Sequence, residues 1–333
     1  MKNRISLSMY TMIAMLVALL SYNGIAQENK TPSMTKTFDL DQPGTLNAKS
    51  SGGGIEVKTH DQNKVVVQLF IRKNGSVLSP LDPMVKDVLK DFDLEIAKNG
   101  SVVTANVERK GNFNFRKNAG ISLTIIVPRE MSCNVSSSGG GLKISNVAGT
   151  HHFTSSGGGV KLENITGNTK ASSSGGGVHV INQQGDIRLS SSGGGVTLEG
   201  AHGNVFANSS GGGVRLTDIH GHVDAGSSGG SVSVTGEAGS VKAKSSGGSV
   251  RINISGLNKE LYLESSGGGV DAVIKNGDRL GLDLDLSSEK VNIDLHNFSG
   301  KAEKDRVKGT VNNGGIPVYM RSSGGNIHVR FDD

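Results

Sequence analysis

The sequence is poor in the residues that build large cores and cross-links. It has no Trp, aromatic residues make up only 4%, and apolar residues make up 35% of its 333 residues. So few large side chains cannot fill a thick globular core. Cys133 is the only cysteine, which excludes an internal disulfide framework. Six prolines exclude a Pro-rich linker or a collagen-like chain. Stability must therefore come from backbone hydrogen bonding.

A strong excess of one charge is also missing, since the formal net charge is +5. The first 26 residues predict a secretory signal peptide. Lys2 and Arg4 precede an apolar run over 12–20, and Gly24 and Ala26 occupy the positions that a signal peptidase reads. The run is too short for a comfortable membrane anchor. We expect export to the periplasm, the outer membrane or the exterior, with no transmembrane segment after cleavage.

Removal of Lys2 and Arg4 with the signal peptide would lower the formal net charge to +3, which is too small to indicate nucleic-acid binding.

Glycine, by contrast, is abundant, with 49 residues in a fixed pattern. A Ser-Ser-Gly-Gly motif begins every 18 residues at Ser137, Ser155, Ser173, Ser191, Ser209, Ser227 and Ser245. Further copies begin at Ser50, Ser265 and Ser322, and a degenerate copy begins at Ser287. Seven copies in strict phase indicate a repeat architecture.

Each 18-residue unit contains two stretches of alternating apolar and polar residues. Val160 and Leu162 flank Lys161 in one stretch, and small residues such as Ala171 and Ala207 lie in the other. A period of two predicts strands with one buried face. A single Gly separates the stretches within a unit, and the Gly-rich motif ends it. Glycine suits both turns because it adopts positive φ and leaves space where turns stack.

We therefore predict an all-β fold, a parallel β-solenoid (β-helix) of 18-residue coils with two strands each. Strand twist favours a right-handed winding. Each coil would advance about 4.8 Å along the stack. The first Ser of each pair lies on the inward side, where its hydroxyl needs a partner in the stack or on the backbone. An antiparallel barrel or a meander of hairpins is the competing architecture.

The sequence divides into four segments. We predict a signal peptide over 1–26, a strand-rich capping region over 27–130, the regular solenoid over 131–291, and a C-terminal closing coil and loop over 292–333. The irregular, polar part of the last segment, 298–315, reads as a loop.

The capping region carries three local signals. Residues 64–71 (KVVVQLFI) predict a strand, and Asn99-Gly100 predicts a hairpin turn. Asp82 and Pro83 predict the start of a short helix, with Asp as the N-cap and Pro at the first position. The apolar face of this helix would contain Val85, Val88, Leu89 and Phe92.

These motifs carry a family resemblance. SSGGGIEV at 50–57, IVP at 126–128 and the repeated SSGGxV are similar to bacterial β-strand-repeat domains of unknown function labelled as putative adhesins. The leader and the following Gln27-Glu28 resemble those of Bacteroidota-type Gram-negative bacteria. The resemblance covers nearly all of the mature chain. It implies a parallel β-helix-like fold in the cell envelope or outside the cell, and it implies no chemistry. The uniform Gly-Gly-Gly triplets depart from such relatives, which carry Gly-Asp or Gly-Asn there.

No motif indicates catalysis. The serines recur in a corner, and the glycines precede a strand instead of the Lys-Ser/Thr and helix of a phosphate loop. The stacked Asp residues of pectin-cleaving β-helices and the calcium-binding Gly-Gly-x-Gly-x-Asp repeat are both missing. We expect a non-enzymatic protein without a cofactor.

Three histidines are weak candidates for a metal site. His202 and His220 are one repeat apart, and His222 is two residues further on. Three imidazoles at one turn could hold Zn²⁺ or Cu²⁺. Because no carboxylate or Cys recurs beside them, exposed turn residues are the simpler interpretation, and we expect no metal.

One outward position forms a candidate ligand-binding surface, which we call the basic stripe. The position lies between the two core residues of the first strand of each unit and is occupied by Lys143, Lys161, His179, Thr197, Arg215, Ser233 and Arg251. The five basic residues would bind an anionic polymer such as an acidic polysaccharide, a lipopolysaccharide core or teichoic-like material. Alternatively, they form a solvated face whose charges discourage sheet aggregation. Thr197 and Ser233 interrupt the stripe, and Glu163 and Glu199 lie nearby.

Three functions stay open at this point. The first is a non-enzymatic envelope or extracellular scaffold that binds a glycan or an envelope protein. The second is a regulatory or sensor scaffold that works with a membrane protein. The third is a carbohydrate-active β-helix enzyme, which requires two close carboxylates on a concave face.

Overall fold

The computed structural model describes residues 31–74, 76–111 and 119–332. The predicted signal peptide, 1–26, lies outside the described residues. All 28 strands in the described part of the chain belong to one hydrogen-bonded sheet. One short α-helix, α1 (Met84–Leu89), and one 3-10 helix (Gly277–Arg279) accompany them. The predicted all-β class is confirmed.

The chain reaches the regular repeats through eight strands. They are β1 (Met34–Asp39), β2 (Gly44–Ser50), β3 (Ile55–His60), β4 (Lys64–Lys73), β5 (Ser76–Val77), β6 (Phe92–Asn99), β7 (Val102–Arg109) and β8 (Ala119–Pro128).

The regular repeats supply the next fourteen strands. They are β9 (Met131–Ser137), β10 (Leu142–Ser145), β11 (His151–Ser155), β12 (Val160–Thr166), β13 (Thr169–Ser173), β14 (Val178–Gln184), β15 (Ile187–Ser191), β16 (Val196–His202), β17 (Val205–Ser209), β18 (Val214–Ser227), β19 (Val232–Ser245), β20 (Val250–Ser255), β21 (Glu260–Ser265) and β22 (Val270–Lys275).

Six strands follow the last regular repeat. They are β23 (Leu282–Ser287), β24 (Val291–Ile293), β25 (Phe298–Ala302), β26 (Arg306–Val311), β27 (Ile316–Ser322) and β28 (Ile327–Asp332).

The repeat strands form two columns of parallel strands. Each strand pairs with the equivalent strand of the next repeat, so that Val160 aligns with Val178 and Ala171 aligns with Leu189. The first column contains β3, β10, β12, β14, β16, β20, β22, β28 and β24, and the second contains β2, β9, β11, β13, β15, β17, β21, β27 and β23. β18 and β19 run through both columns, which makes the sheet nearly closed and barrel-like. The right-handed solenoid winding stays a prediction.

The core lies between the two columns. Inward residues alternate with outward ones over the first residues of β12, β14 and β16, as the two-residue period predicts. Two outward residues in succession then precede the next inward one, which is Ile165 in β12. Val and Leu of the first column and small residues such as Ala171, Ala207 and Ala243 of the second belong to one buried cluster. The first Ser of each pair is buried as well, as expected, and its hydroxyl bonds to backbone. The thin core matches the scarcity of large side chains.

The triplet glycines are required for a different reason than the sequence suggested. None of the triplets has positive φ, so that part of the prediction is wrong for them. A Cβ on Gly158 would lie 2.3 Å from the backbone nitrogen of Gly141 in the neighbouring repeat. The middle glycine of each triplet is therefore required because stacked backbones leave no space for a side chain, whereas the third position is Ser231 in one repeat and Ser249 in the next. Positive φ does apply at the single-glycine turn, as at Gly167 (104°) and Gly185 (103°).

The N-terminal segment continues both columns. β2 pairs with β9 and aligns Ser50 with Ser137, while β3 pairs with β10. On the other side, β2 pairs with β7 and β3 pairs with β8. The Ser50 copy is therefore the direct neighbour of the Ser137 copy, although 87 positions separate them in the sequence. The antiparallel strands β6, β4 and β1 cover this end.

Local predictions in the capping region are confirmed in substance. Residues 64–71 lie within β4, and the hairpin of β6 and β7 turns immediately after Asn99, with Gly100 in a positive-φ conformation. Helix α1 begins at Met84, one residue later than predicted. The Asp82 carboxylate accepts a hydrogen bond from the Met84 amide at 2.9 Å. Val85 and Val88 are buried as predicted. The N-cap is Pro83 instead of Asp82, and Phe92 lies outside the helix as the first residue of β6, so those two parts of the prediction are wrong.

The C-terminal end is not arranged in sequence order. β27 pairs with β21 and aligns Ser322 with Ser265, while β23 pairs with the other edge of β27. The last copy in the sequence is thus inserted between the Ser265 copy and the degenerate Ser287 copy. The predicted loop over 298–315 is wrong, because β25 and β26 form an antiparallel hairpin there. β26 also pairs with β23 and so covers the second column, which explains why so polar a segment is ordered.

No helix in the described ranges is long and apolar enough to cross a membrane. The boundaries proposed for the four segments stay predictions.

Candidate functional site

The residues of the basic stripe lie in register on the outer face of the first column. Lys143 aligns with Lys161, Lys161 with His179, His179 with Thr197, Thr197 with Arg215, Arg215 with Ser233, and Ser233 with Arg251. Neighbouring parallel strands lie about 4.8 Å apart, so Lys161 and Arg215 are roughly 14 Å apart along the stack. The structure therefore brings all five predicted basic residues onto one line.

Carboxylates close the stripe at both ends. Lys143 lies 3.0 Å from Glu56 of the Ser50 repeat, and Arg251 lies 3.4 Å from Asp271 of the Ser265 repeat. These partners extend the same register, since Glu56 aligns with Lys143 and Asp271 with Arg251. The two terminal cations are neutralised by their neighbours, which leaves them less charge to offer a ligand.

Glu56 is held in its ionised form by two lysines. Burial raises the pKa of Glu56, but hydrogen bonds and charge from Lys143 and Lys58 outweigh that effect. The result is a pKa below the ordinary value for Glu. The Lys58 ammonium lies 3.0 Å from the Glu56 carboxylate. Glu56 is therefore a fixed negative end of the stripe over the ordinary pH range.

The central part of the stripe differs from its ends. Among the described residues, Lys161, His179 and Arg215 have no ion-pair partner. Lys161 and Arg215 are exposed, and His179 is half-buried. Three basic side chains over four repeats, with Thr197 between them, form a line of hydrogen-bond donors outside any ion pair of the described chain. Glu163 and Glu199 lie two residues further along β12 and β16. Such a line attracts an extended anion.

The three candidate histidines at the single-glycine turn do not converge on one point. The rings of His202 and His220 stack with centroids 4.6 Å apart. His220 also lies 3.2 Å from Asp218 and 3.6 Å from Glu237. His222 instead contacts Ser240 at 3.0 Å and the ammonium of Lys259 at 2.9 Å. No group of three metal-ligating side chains is assembled in the described part of the chain.

A ladder of asparagines runs beside that turn. Asn146, Asn164 and Asn182 all have positive φ. The side-chain amide of Asn164 donates to the side-chain oxygen of Asn146 at 2.8 Å, and that of Asn182 donates to the side-chain oxygen of Asn164 at 2.9 Å. Asn tolerates this conformation better than most residues. Sequence reasoning missed the ladder, although an Asn recurring every 18 residues was a usable signal.

A groove at the C-terminal end of the stripe contains two carboxylates. Its volume is about 450 Å³, and it is lined by Asp271, Asp294, His328 and Arg330 among others. Asp271 is paired with Arg251, and Asp294 lies 3.6 Å from His296. Both carboxylates lie at the solvent surface beside a basic partner. This is the arrangement of surface ion pairs, whereas general acid–base pairs lie in water-excluded clefts.

The single thiol is not placed for chemistry either. Cys133 is fully buried in the second column, and burial raises its pKa to about 12. A thiol that stays protonated is a poor nucleophile and metal ligand.

Solved structures similar to this chain include some from Bacteroides and Parabacteroides species. A putative adhesin from Bacteroides fragilis NCTC 9343 is 13% identical, with 89% of this chain and 96% of that chain covered and a TM-score of 0.38. A putative adhesin from Parabacteroides merdae ATCC 43184 is 10% identical, with coverages of 91% and 97% and a TM-score of 0.39. A putative lipid binding protein from Parabacteroides distasonis ATCC 8503 is 12% identical, with coverages of 91% and 98% and a TM-score of 0.35.

The comparison with curated proteins finds no match. A family model described as Toastrack DUF4097 matches residues 25–330. That match confirms the family resemblance seen in the sequence. Because the match spans nearly the whole chain, the protein belongs to the Toastrack DUF4097 family.

Proposed function

We propose that the protein is an exported, non-enzymatic scaffold that binds an anionic polymer of the cell envelope along its basic stripe. The observation that carries this proposal is the register of Lys161, His179 and Arg215 on one sheet face without carboxylate partners. The terminal pairs Lys143–Glu56 and Arg251–Asp271 confine the open positive charge to the central repeats.

The parallel sheet supplies rigidity for this kind of binding. The backbone of each outward residue is fixed by a strand with a neighbour on both sides, so the points where the cationic side chains leave the sheet keep a regular spacing of about 4.8 Å per repeat. A polymer that binds there orders the exposed Lys and Arg side chains but does not have to order a loop. The right-handed solenoid winding belongs to this proposal, because strand twist favours that hand.

The composition of the stripe predicts modest, salt-sensitive binding. Lys161 and Arg215 are exposed, and exposed charges more than a Debye length of about 8 Å apart are largely screened at physiological salt. Several weak contacts on one chain add through multivalency, so a polymer binds where its monomer does not. This favours a polyanionic glycan over a small anion.

The test is a binding screen of the purified protein against acidic polysaccharides, lipopolysaccharide and a neutral polysaccharide, at low and at moderate salt. We expect at least one acidic polymer to bind at low salt and to be released as salt rises. Absence of binding to every acidic polymer would contradict the proposal. A capture of envelope proteins would then test the alternative function, a scaffold for a membrane-protein partner.

A further inference from the structure

The outer face of the second column contains a groove that the basic stripe does not include. The groove has a volume of about 330 Å³, at the lower end of the range of roughly 300–1,000 Å³ found for ligand sites. Its two long sides come from different rows of the repeat. One row is Ser190, Asn208, Gly226 and Lys244, which align in neighbouring strands. The other is the exposed second serine of each motif, namely Ser192, Ser210, Ser228 and Ser246.

Gly226 is the feature that structure alone does not require. It lies inside β18 with an ordinary φ, so no backbone conformation demands glycine. A Cβ built on it would meet only the side chain of Asn208, 2.5 Å from Oδ1, and no backbone atom within 4 Å. The middle glycines of the triplets, in contrast, are packed against backbone. Glycine inside a strand weakens it and marks a bulge, a tight bend, a close backbone approach or the approach of a ligand. The pairing of Gly226 with both neighbouring strands is in regular register, and no backbone atom lies within 4 Å of the added Cβ, which favours the approach of a ligand.

The repeat itself offers a comparison for this position. The equivalent residues of other repeats are Thr154, Ser172, Ser190, Asn208 and Lys244, all of which carry side chains. The missing side chain at Gly226 leaves a gap in this row between Asn208 and Lys244. The Asn208 amide has no hydrogen-bond partner among the described residues and lies next to that opening.

The exposed serines supply a second, independent observation. The buried first serine has a structural role, since it bonds to backbone. The hydroxyls of Ser192, Ser210, Ser228 and Ser246 have no hydrogen-bond partner among the described residues. They form a row of neutral donors and acceptors about 4.8 Å apart.

The chemistry of the lining selects the class of ligand. The groove is lined by hydroxyls, one amide and one ammonium, and no carboxylate lines it. The ammonium of Lys244 is already paired with Glu264 at 3.1 Å, and Lys244 also lies over the Tyr262 ring. Phe206, two residues before Asn208, is 37% exposed on the same face. Arg188 covers one side of its ring at 4.6 Å from the centroid, so the rest of the ring can receive the carbon-rich face of a sugar.

We infer that this groove binds a neutral glycan, with one sugar residue over Gly226 and its hydroxyls bonded to Asn208, Ser210 and Ser228. The site is separate from the basic stripe, since the two lie on the outer faces of different columns. A neutral ligand also separates the two experimentally, because high salt suppresses binding to the stripe and leaves neutral hydrogen bonding in place.

The test measures binding of the purified protein to soluble α-glucan, mannan and galactan at high salt. We expect at least one of them to bind. Gly226→Thr, which places in the groove the residue that Thr154 already places in another repeat, should abolish binding. Ser210→Ala and Ser228→Ala should each weaken it about fivefold, the effect of one neutral hydrogen bond.

Ser138→Ala and Ser156→Ala are the matched controls, since they remove the same hydroxyl outside the groove and should leave binding unchanged. Lys161→Glu with Arg215→Glu should also leave it unchanged. The inference is overturned if the folded protein binds none of the three glycans. It is also overturned if Gly226→Thr binds like the unmodified protein, or if the control variants lose as much binding as the groove variants.

Discussion

The hydroxyl of Ser155 donates a hydrogen bond to the carbonyl oxygen of Gly140 in the preceding repeat, at 2.9 Å. The same hydroxyl accepts a bond from the amide of Gly158 in its own repeat, at 3.1 Å. Equivalent bonds recur, for example from Ser209 to Gly194 and from Ser245 to Gly230. The buried serine therefore connects each corner to the one before it, in a protein with few large side chains.

Replacement of Ser155 by Ala should destabilise the protein by about 1–3 kcal/mol, because it leaves a half-buried carbonyl and a half-buried amide without this partner. Ser156→Ala is the matched control, since Ser156 is exposed and its hydroxyl has no partner in the described chain. Urea denaturation followed by circular dichroism measures both. Equal midpoints for the two variants would contradict the role assigned to the buried serine.

The middle glycine of each triplet should not tolerate any side chain. A Cβ on Gly176 would lie 2.5 Å from the backbone nitrogen of Gly159, so Gly176→Ala should cost about 1–3 kcal/mol through forced separation of two repeats. Gly52→Ala serves as the control, because a Cβ there meets nothing within 4 Å. Neither glycine has positive φ, so a difference between the melting temperatures of the two variants reports the packing of the added Cβ and not backbone conformation. Similar melting temperatures would show that stacking does not determine the choice of glycine.

The sequence predicted the parts of the fold that depend on the repeat period. An 18-residue spacing with two-residue alternation is enough to place Lys143, Lys161 and His179 side by side on an outer face, and the structure has them in register. The inward parity of the first serine followed from the same alternation. Both predictions rest on local pattern, since the side-chain period of a strand is fixed.

The ends of the protein could not be predicted in the same way. Ser287 and Ser322 both begin motif copies, and nothing in their sequence states which one neighbours Ser265. The structure pairs Ser265 with Ser322, because β27 finds partners on both of its edges in that position. At the other end, the Ser50 repeat brings Glu56 against Lys143. The ion pairs that limit the basic stripe therefore depend on long-range pairing.

His151 should make stability depend on pH. It is 2% exposed, and burial lowers its pKa from 6.5 to about 4, although a hydrogen bond to the Thr166 carbonyl opposes that shift. Between pH 4 and 6.5 the unfolded chain binds a proton at this site that the folded protein does not. Stability should therefore fall as pH drops through this window, by at most about 3 kcal/mol.

His151→Ile removes this titration and places the residue that Ile187 provides two repeats away in the same row. Its stability should change less between pH 7 and pH 4 than that of the unmodified protein. His152→Gln, at the exposed neighbouring position, should keep the original pH dependence. Denaturation midpoints at several pH values measure the difference, and an unchanged slope in His151→Ile would assign the effect to other groups.

The basic stripe is tested most directly by charge reversal on two different faces. Lys161→Glu with Arg215→Glu alters the central stripe, and Lys170→Glu with Lys242→Glu makes the same change in net charge on the second column. Binding of an acidic polysaccharide is measured for both variants and for the unmodified protein across a salt series. We expect the stripe variant to lose binding and its salt dependence, while the second-column variant keeps both. Equal loss in the two variants would show that net charge alone governs binding, and it would contradict the stripe as the site.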